Sequence, residues 1–302
     1  MTTKKEKKKR YWLCPLYSFN SDEEVILSKV AQIKHAPLEL KRIIQERSPT
    51  ESKYAIDNPT HFNWVMKFPS PEDYFQKPGN NTATRIPLAM WALNYHILAL
   101  RLHKRGLITP GVVRYVEENG SRLTLLESFE TTLCKHGFNK EPKYSLTESD
   151  LIPIQDIIYD LYSYFEHDPI APYRITFDRF HSAYHERPED ALIDQIIAFE
   201  SLLLDDDKEL GYKLSLRTAF LIGEERETIF NNMKEAYNLR SLIVHGKKDI
   251  PYNKINDILP ITEEYLRRSI KIFISLLAKG KSIKSIRKML DKNILKNGTV
   301  MP

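Results

Sequence analysis

Cysteine, glycine and long apolar runs are all scarce in this chain of 302 residues. The two cysteines, Cys14 and Cys134, show no metal-ligand spacing, which is typical of a reducing compartment and leads us to expect a cytoplasmic protein. No run approaches the roughly 18–20 apolar residues that cross a bilayer. The apolar stretch over residues 11–19 is too short for a signal peptide and contains Pro15. We therefore expect neither a membrane segment nor a secretion signal.

Three common catalytic motifs are also missing: the GxxxxGK[ST] phosphate loop, the GxGxxG dinucleotide motif and the GxSxG nucleophile elbow. Their absence removes the common NTPase, dehydrogenase and serine-hydrolase interpretations, though not every variant of them. His181 and His185 have a helical i, i+4 spacing that can hold a metal, but no glutamate lies between them and no third ligand is evident. We interpret them as a surface pair and predict no metal and no cofactor.

The ten glycines and the long segments of helical periodicity favour helices over a turn-rich β architecture. We predict a mainly α fold that divides near residue 145. An N-terminal mixed α/β module spans residues 11–145, an antiparallel helical bundle spans residues 146–280, and a basic helix or tail occupies residues 281–302.

Within the first module, residues 11–19 and 61–68 are predicted strands, and a helix with Pro87 in its first turn ends at Gly106. Thr-Pro and Asn-Gly signals at the two ends of residues 109–119 predict another helix. In the bundle, the apolar period predicts a series of helices: 153–167, 174–185, 190–204, 208–222, 225–244 and 259–277, followed by the basic helix 283–295.

Charge is concentrated at the two ends of the chain. Residues 1–10 hold six Lys or Arg and one Glu, and residues 279–296 hold seven Lys or Arg and one Asp. Because the formal net charge is only +5, the body between them is net acidic. Basic ends suit contact with phosphate or another acidic surface. For residues 1–10 the simpler interpretation is a solvated, disordered tail.

Three charged residues stand where apolar residues belong. Glu200 interrupts the apolar stripe of the helix over 190–204, Arg217 that of the next helix, and Arg240 that of the third. Isolated buried charges are very costly, so such groups pair with one another or line a cleft. Glu200 can neutralise one arginine, which leaves the second over.

The end of the third helix adds a histidine. Arg240 and His245 in the last turn complement the helix dipole, and Gly246 is a normal C-terminal stop, so a purely structural interpretation explains His245. That interpretation does not explain why Arg240 lies on the apolar face. A regular helix would point Arg240 and His245 about 140° apart. They converge only if the helix loosens near Val244 or if a second chain supplies one of them.

Arg240, four intervening residues and His245 match the Arg–(four to six residues)–His signature of HEPN domains, and the surrounding text resembles the Apea-like branch. The matching segments are Asp190–Asp194, Ile197–Leu203, Leu216–Ala219 and Tyr237–Gly246. The resemblance covers about residues 146–280. One departure is Ser241, because many active members have Asn, Asp or His directly after the arginine; serine keeps a hydrogen-bonding group there.

The resemblance implies a HEPN helical bundle that forms a homodimer or higher homo-oligomer and brings two Arg–His motifs into one basic cleft. Such domains are often metal-independent endoribonucleases in bacterial toxin, antiphage and RNA-processing systems. The implied partners are therefore RNA, tRNA among its classes, and a regulatory protein, with no membrane. The alternative is a non-catalytic module that binds RNA or a nucleotide, or that dimerises as part of a sensor.

The chemistry agrees with elementary principles. RNA carries its own nucleophile, the 2′-OH, and imidazole can take its proton or protonate the leaving 5′ oxygen. A guanidinium fork stabilises the charge that develops on the phosphoryl oxygens. On this hypothesis His245 is the general acid/base and Arg240 the phosphate ligand. Asn238 and Ser241 give polar support, and Glu200 with Arg217 positions Arg240.

Overall fold

The computed structural model describes residues 8–51, 62–69, 82–130, 142–167, 174–205, 208–247 and 252–296. The chain is mainly helical, as predicted. It divides into two compact units, residues 1–136 with 141–155 and residues 137–140 with 156–302. The division falls inside a helix, whereas the sequence prediction placed the boundary near residue 145.

The first unit is built on an antiparallel sheet. The strands in chain order are β1 (Lys9–Tyr17), β2 (Phe19–Ser21), β3 (Val25–Ser28), β4 (Ala31–His35), β5 (Trp64–Pro69), β6 (Thr109–Pro110), β7 (Val113–Asn119), β8 (Arg122–Phe129) and β9 (Tyr144–Leu146). The order across the sheet is β3-β4-β5-β1-β7-β8, and β6 pairs with the end of β1. Strands β2 and β9 form a separate parallel pair.

Strand β1 is the centre of this sheet because both of its edges are paired, with β5 on one side and β7 on the other. Side chains alternate between the two faces. Tyr11 and Leu13 join the core beneath helix α1 (Leu38–Glu51), while Trp12 lies on the opposite face, with its ring 4.7 Å from that of Tyr115. Burial on both faces explains the nearly continuous apolar sequence of β1.

The prediction of a helix over residues 109–119 is wrong, because these residues form β6 and β7. The Asn119-Gly120 pair is not a helix stop but belongs to a hairpin: Asn119 pairs with Arg122 across a two-residue loop, and Gly120 has φ 62°. Gly120 is the first of the two loop residues, and a type II′ turn, which has positive φ at that position, favours glycine there. The β-branched residues Val113 and Val116 suit the buried strand that precedes it.

The start of β1 also differs from the sequence prediction. Lys9 and Arg10, predicted to lie in a disordered tail, belong to β1, where the Arg10 guanidinium bonds the Glu117 carboxylate at 3.0 Å. The rest of that predicted tail, residues 1–7, lies outside the described residues, as does Cys134.

Helix α2 (Thr82–His103) carries His96, which is fully buried. Its Nδ1 lies 2.6 Å from the Ala92 carbonyl oxygen, which can only accept, so Nδ1 carries the proton. Nε2 then accepts the hydroxyl of Ser28 at 2.8 Å. Burial lowers the pKa of His96 to about 4. The neutral imidazole is thus the form that this packing requires.

The second unit contains the helices α3 (Leu151–His167, which begins in the first unit), α4 (Arg174–Ser182), α5 (Pro188–Leu203), α6 (Leu210–Ile222), α7 (Arg226–Val244), α8 (Tyr252–Ala278) and α9 (Ile283–Leu295). Helix α5 packs on α4, α6, α7 and α8. Its fully buried Ile196 and Phe199 form the core together with Leu214, Met233 and Leu266 from the neighbouring helices.

Two details of this unit correct the sequence prediction. His181 and His185 are buried rather than a surface pair. Helix α8 begins at Tyr252 and continues through Pro260, whereas the prediction started it at residue 259. The buried Ile255 and Ile258 hold the extra turns against the core, and this packing offsets the helix-breaking tendency of an internal proline. Among the described residues no helix has the length and apolarity needed to span a membrane.

The buried His96 predicts an acid-labile first unit. Its pKa is about 4 in the folded state against about 6.5 for an unfolded histidine. The unfolded chain therefore takes up the proton first, and folding free energy is lost as pH falls from about 6.5 to about 4, by up to about 3 kcal/mol. Above about pH 6.5 the histidine is neutral in both the folded and the unfolded chain, so no folding free energy is lost.

Urea unfolding at several pH values, followed by tryptophan fluorescence, measures this loss. All three tryptophans lie in the first unit, so the signal reports on it alone. His96→Gln should be less stable than wild type at pH 7, and the gap should close as the pH approaches about 4. A gap that stays constant over this range would contradict the assignment.

Candidate functional site

Glu200 at the end of α5 and Arg240 near the end of α7 form a loose ion pair. The Arg240 Nη2 and Glu200 Oε2 atoms are 3.9 Å apart, and the two side chains are 24% and 22% exposed. This distance is too long for a hydrogen bond. Arg240 Nε and Glu200 Oε1 are both buried and have no hydrogen-bond partner among the described residues. The pair therefore balances charge but leaves hydrogen-bonding capacity unused.

Tyr237 completes this cluster. The Arg240 Cζ atom lies 5.8 Å from the centroid of the Tyr237 ring, within the range of a cation–π contact. Burial raises the pKa of Glu200, and the charge of Arg240 opposes the rise. Burial also raises the pKa of Tyr237, with the Glu200 carboxylate adding to the rise and Arg240 opposing it. The three groups thus share one half-buried environment. We call them the Arg240 cluster.

The sequence prediction missed Tyr237, although two signals point to it. Tyr237 precedes Arg240 by three residues, so the two share a face of the helix. The ring also lies against Gly211 of α6, where an added Cβ would come within 2.7 Å of the Tyr237 Cδ1 atom. A glycine in a helical pattern is unfavourable relative to alanine, so a packing reason for it is expected. Gly211 therefore lets α6 and α7 approach closely at Tyr237, whose ring contacts the Arg240 guanidinium.

Arg217 lies in a different network from the one predicted. Its Nε and Nη2 donate to the two oxygens of Asp291 at 3.0 and 3.1 Å, and Nη1 donates to the Leu203 carbonyl at 2.6 Å and to Asp205 at 3.0 Å. The prediction groups Arg217 with Glu200 to position Arg240, but in the structure Arg217 bonds these three residues, and Glu200 pairs with Arg240 instead. The physical reason is helix α9, which packs on α6 and supplies the second carboxylate.

His245 follows the last residue of α7 and is exposed. The backbone around it forms a Schellman motif: the Gly246 N–H donates to the Ile243 carbonyl at 3.0 Å and the Lys247 N–H to the Leu242 carbonyl at 3.2 Å. Gly246 has φ 61°, the left-handed conformation that this motif needs. The helix therefore ends where the sequence predicts, at Val244.

The remaining predicted residues line the same last turns. Asn238 is exposed and Ser241 is half-buried. The Ser241 carbonyl accepts the His245 backbone N–H at 3.1 Å. The single chain thus brings Glu200 to Arg240, whereas His245 faces solvent without a side-chain hydrogen bond or ion pair in the described part of the chain. Within that part, no group of three His, Cys, Asp or Glu residues is arranged to hold a metal.

Comparison of the chain with protein-family models, with curated proteins and with solved structures finds no match. The function must therefore be inferred from the residues of the site. The arrangement can place a guanidinium and an imidazole, both able to contact a phosphate group, near one end of α7.

The contrast between the two arginines predicts different costs of removing them. Arg217→Ala deletes four hydrogen bonds and leaves the Leu203 carbonyl unpaired, but Asp205 and Asp291 are half exposed and water can solvate them. We expect a loss of about 2–3 kcal/mol in unfolding free energy. Arg240→Ala removes one long, partly exposed ion pair and should cost less than about 1 kcal/mol.

Chemical denaturation followed by far-UV circular dichroism compares the two variants with wild type. Arg268→Ala is a matched control, because Arg268 makes a surface ion pair with Glu224. The assignment of Arg217 to structure and of Arg240 to function would be contradicted if Arg240→Ala were the more destabilised of the two.

Proposed function

We propose that this chain is a metal-independent endoribonuclease of the HEPN type that cleaves RNA through attack by the 2′-OH. We further propose that it acts in the cytoplasm, in an antiphage or toxin system. The proposal combines the Arg240-x4-His245 signature with the surroundings of the two side chains. The second unit provides the helical setting, with Arg240 on α7 and His245 directly after its last residue.

One observation carries the proposal: the unused hydrogen-bonding capacity of Arg240. Among the described residues its buried Nε has no acceptor, and its Nη2 lies 3.9 Å from the Glu200 carboxylate. By contrast, Arg217 donates four hydrogen bonds to three different residues. Leaving a buried donor unpaired costs free energy, and because the Arg240 side chain is 24% exposed, a phosphate oxygen could approach the accessible part of its guanidinium. A guanidinium kept in place but not saturated suits a transient anionic ligand.

The proposed reaction needs no group from outside the chain and its substrate. The 2′ oxygen of the RNA attacks the adjacent phosphorus, and its proton passes to an imidazole. The bond from phosphorus to the 5′ oxygen breaks, and that oxygen takes up a proton. The products are a 2′,3′-cyclic phosphate and a 5′-OH. Arg240 would bind the non-bridging oxygens, where negative charge grows in the transition state, and His245 would handle the proton.

The separation of the two side chains favours a site assembled from two copies of the chain. Arg240 faces the interior beside Glu200, while His245 is exposed beyond the end of the helix. We therefore expect a homodimer in which the imidazole of one copy and the guanidinium of the other act on the same phosphate. The second imidazole of the dimer can then protonate the leaving oxygen.

Incubation of the purified protein with labelled total RNA in EDTA tests the proposal. Wild type should cleave, and the cleaved ends should carry a cyclic phosphate and a 5′-OH. His245→Ala should abolish cleavage and keep RNA binding, whereas Arg240→Ala should reduce both. We expect each loss to be at least about 100-fold, the scale seen for general acid–base and oxyanion-stabilising groups. Arg268→Ala, a surface arginine of the same unit, is the control and should cleave like wild type.

A monomeric protein that cleaves RNA would overturn the composite site. If the protein cleaves no RNA under any condition but binds RNA in a way that depends on Arg240, the alternative of a non-catalytic RNA-binding module would replace the ribonuclease proposal. Ser241 stands where many active members of the resembled family have Asn, Asp or His, and that departure is the reason to keep binding as the alternative.

A further inference from the structure

Residues 283–295 of the C-terminal basic segment form a helix that packs within the second unit. Helix α9 begins with a Ser282–Ser285 capping box, and its apolar residues Ile286 and Leu290 are fully buried. Asp291 receives two hydrogen bonds from Arg217. Arg287 donates to the carbonyls of residues 201 and 202, at the end of α5. The apolar face and these two polar contacts fix which side of α9 faces solvent.

The outward side carries a row of lysines. Lys281, Lys284, Lys288, Lys292 and Lys296 are all exposed, and we call them the lysine stripe. The four that lie on or directly after the helix are spaced four residues apart, which places them on one side of it at steps of about 6 Å along its axis. No carboxylate among the described residues lies within ion-pair distance of any of the five.

The acidic residue within this helix does not neutralise the stripe. Asp291 is the one carboxylate of α9, and both of its oxygens are held by Arg217. Like charges in an i, i+4 row repel one another and weaken the helix. The burial of Ile286 and Leu290 keeps α9 in place, and an anionic ligand would relieve the repulsion. A row of uncompensated positive charge on a fixed scaffold is suited to a polyanion.

We propose that the lysine stripe binds the phosphate backbone of single-stranded RNA. A nucleic acid is favoured over a lipid surface because an interfacial helix needs a free apolar face to insert, and α9 has already buried its apolar face in the protein. Leu295 at the end of the helix is its exposed large apolar residue. The choice of RNA among polyanions rests on the proposed function. The inference that the stripe binds a polyanion rests on its exposed lysines alone.

The stripe is also well placed relative to the Arg240 cluster. Arg287, on the same helix, bonds the carbonyls of Ser201 and Leu202, the two residues that follow Glu200. A strand held along α9 would therefore lie on an element anchored next to the carboxylate that pairs with Arg240. The stripe supplies sequence-independent affinity, and the cluster acts on one phosphate.

Salt-dependent binding tests this proposal without requiring cleavage. The probe is an unstructured, fluorescently labelled 2′-O-methyl RNA, which lacks the 2′-OH nucleophile and cannot be cut. The stripe variant carries Lys284→Gln, Lys288→Gln and Lys292→Gln. The control variant loses the same charge from exposed lysines elsewhere, through Lys29→Gln, Lys234→Gln and Lys254→Gln. The slope of log K against log salt should become shallower by about 2 in the stripe variant and stay nearly unchanged in the control.

A third variant separates charge from folding. Replacing the same three stripe lysines by arginine keeps the charge and should restore the wild-type slope. Equal slopes for the stripe and control variants would overturn the proposal. Binding to phosphatidylcholine vesicles that contain phosphatidylserine is the second measurement. If the stripe variant loses vesicle binding but keeps the wild-type salt dependence of RNA binding, the stripe is a lipid-binding surface and the proposal is overturned. A clear change of slope without cleavage of natural RNA would support RNA binding by the stripe and contradict the proposed ribonuclease activity.

Discussion

An arginine side chain cannot lose its proton inside a protein, so burying a guanidinium is costly unless oxygen atoms pair with it. In the first unit, Arg101 is fully buried and donates to the Ile108 carbonyl. In the second, Arg267 of α8 is almost fully buried between Glu263 and the Tyr184 hydroxyl. This constraint determines which charged residues hold the fold together.

Arg217 shows the constraint most clearly. Its hydrogen bonds join α6 to two other segments: the end of α5, through the Leu203 carbonyl and Asp205, and α9, through Asp291. Helix α9 is therefore part of the folded unit, and the lysines on its far side have a rigid support. Because Arg217 is hydrogen-bonded to these partners, the ion pair that Glu200 makes among the described residues is with Arg240.

Much of the helical unit follows from local rules. The bounds of α7 and α9 match the prediction within one residue, because Gly246 and the Ser282 cap mark their ends. The pairing of the charges did not follow. Helical periodicity places Glu200, Arg217 and Arg240 on inward faces, but choosing between two arginines depends on Asp205 and Asp291, which lie in other segments. A carboxylate 74 positions away along the chain leaves no periodic signal.

The error in the first unit has a related cause. Residues 109–119 carry end signals that a helix and a hairpin strand share, and only pairing with β1 and β8 makes them a strand. Tyr237 was overlooked for the opposite reason: its signal is local, but an aromatic residue on a helix is ordinarily core. Its place beneath Arg240 depends on the close approach that Gly211 permits.

The central claim is that Arg240 is held ready for phosphate while Arg217 is committed to structure. The Nε–H resonances of the two arginines, assigned by their loss in Arg240→Lys and Arg217→Lys, test it directly by NMR. Titration with 2′-O-methyl RNA should shift the Arg240 resonance, because phosphate binding changes the surroundings of its guanidinium, and leave that of Arg217 in place. An Arg240 resonance that does not move at saturating RNA would contradict the account.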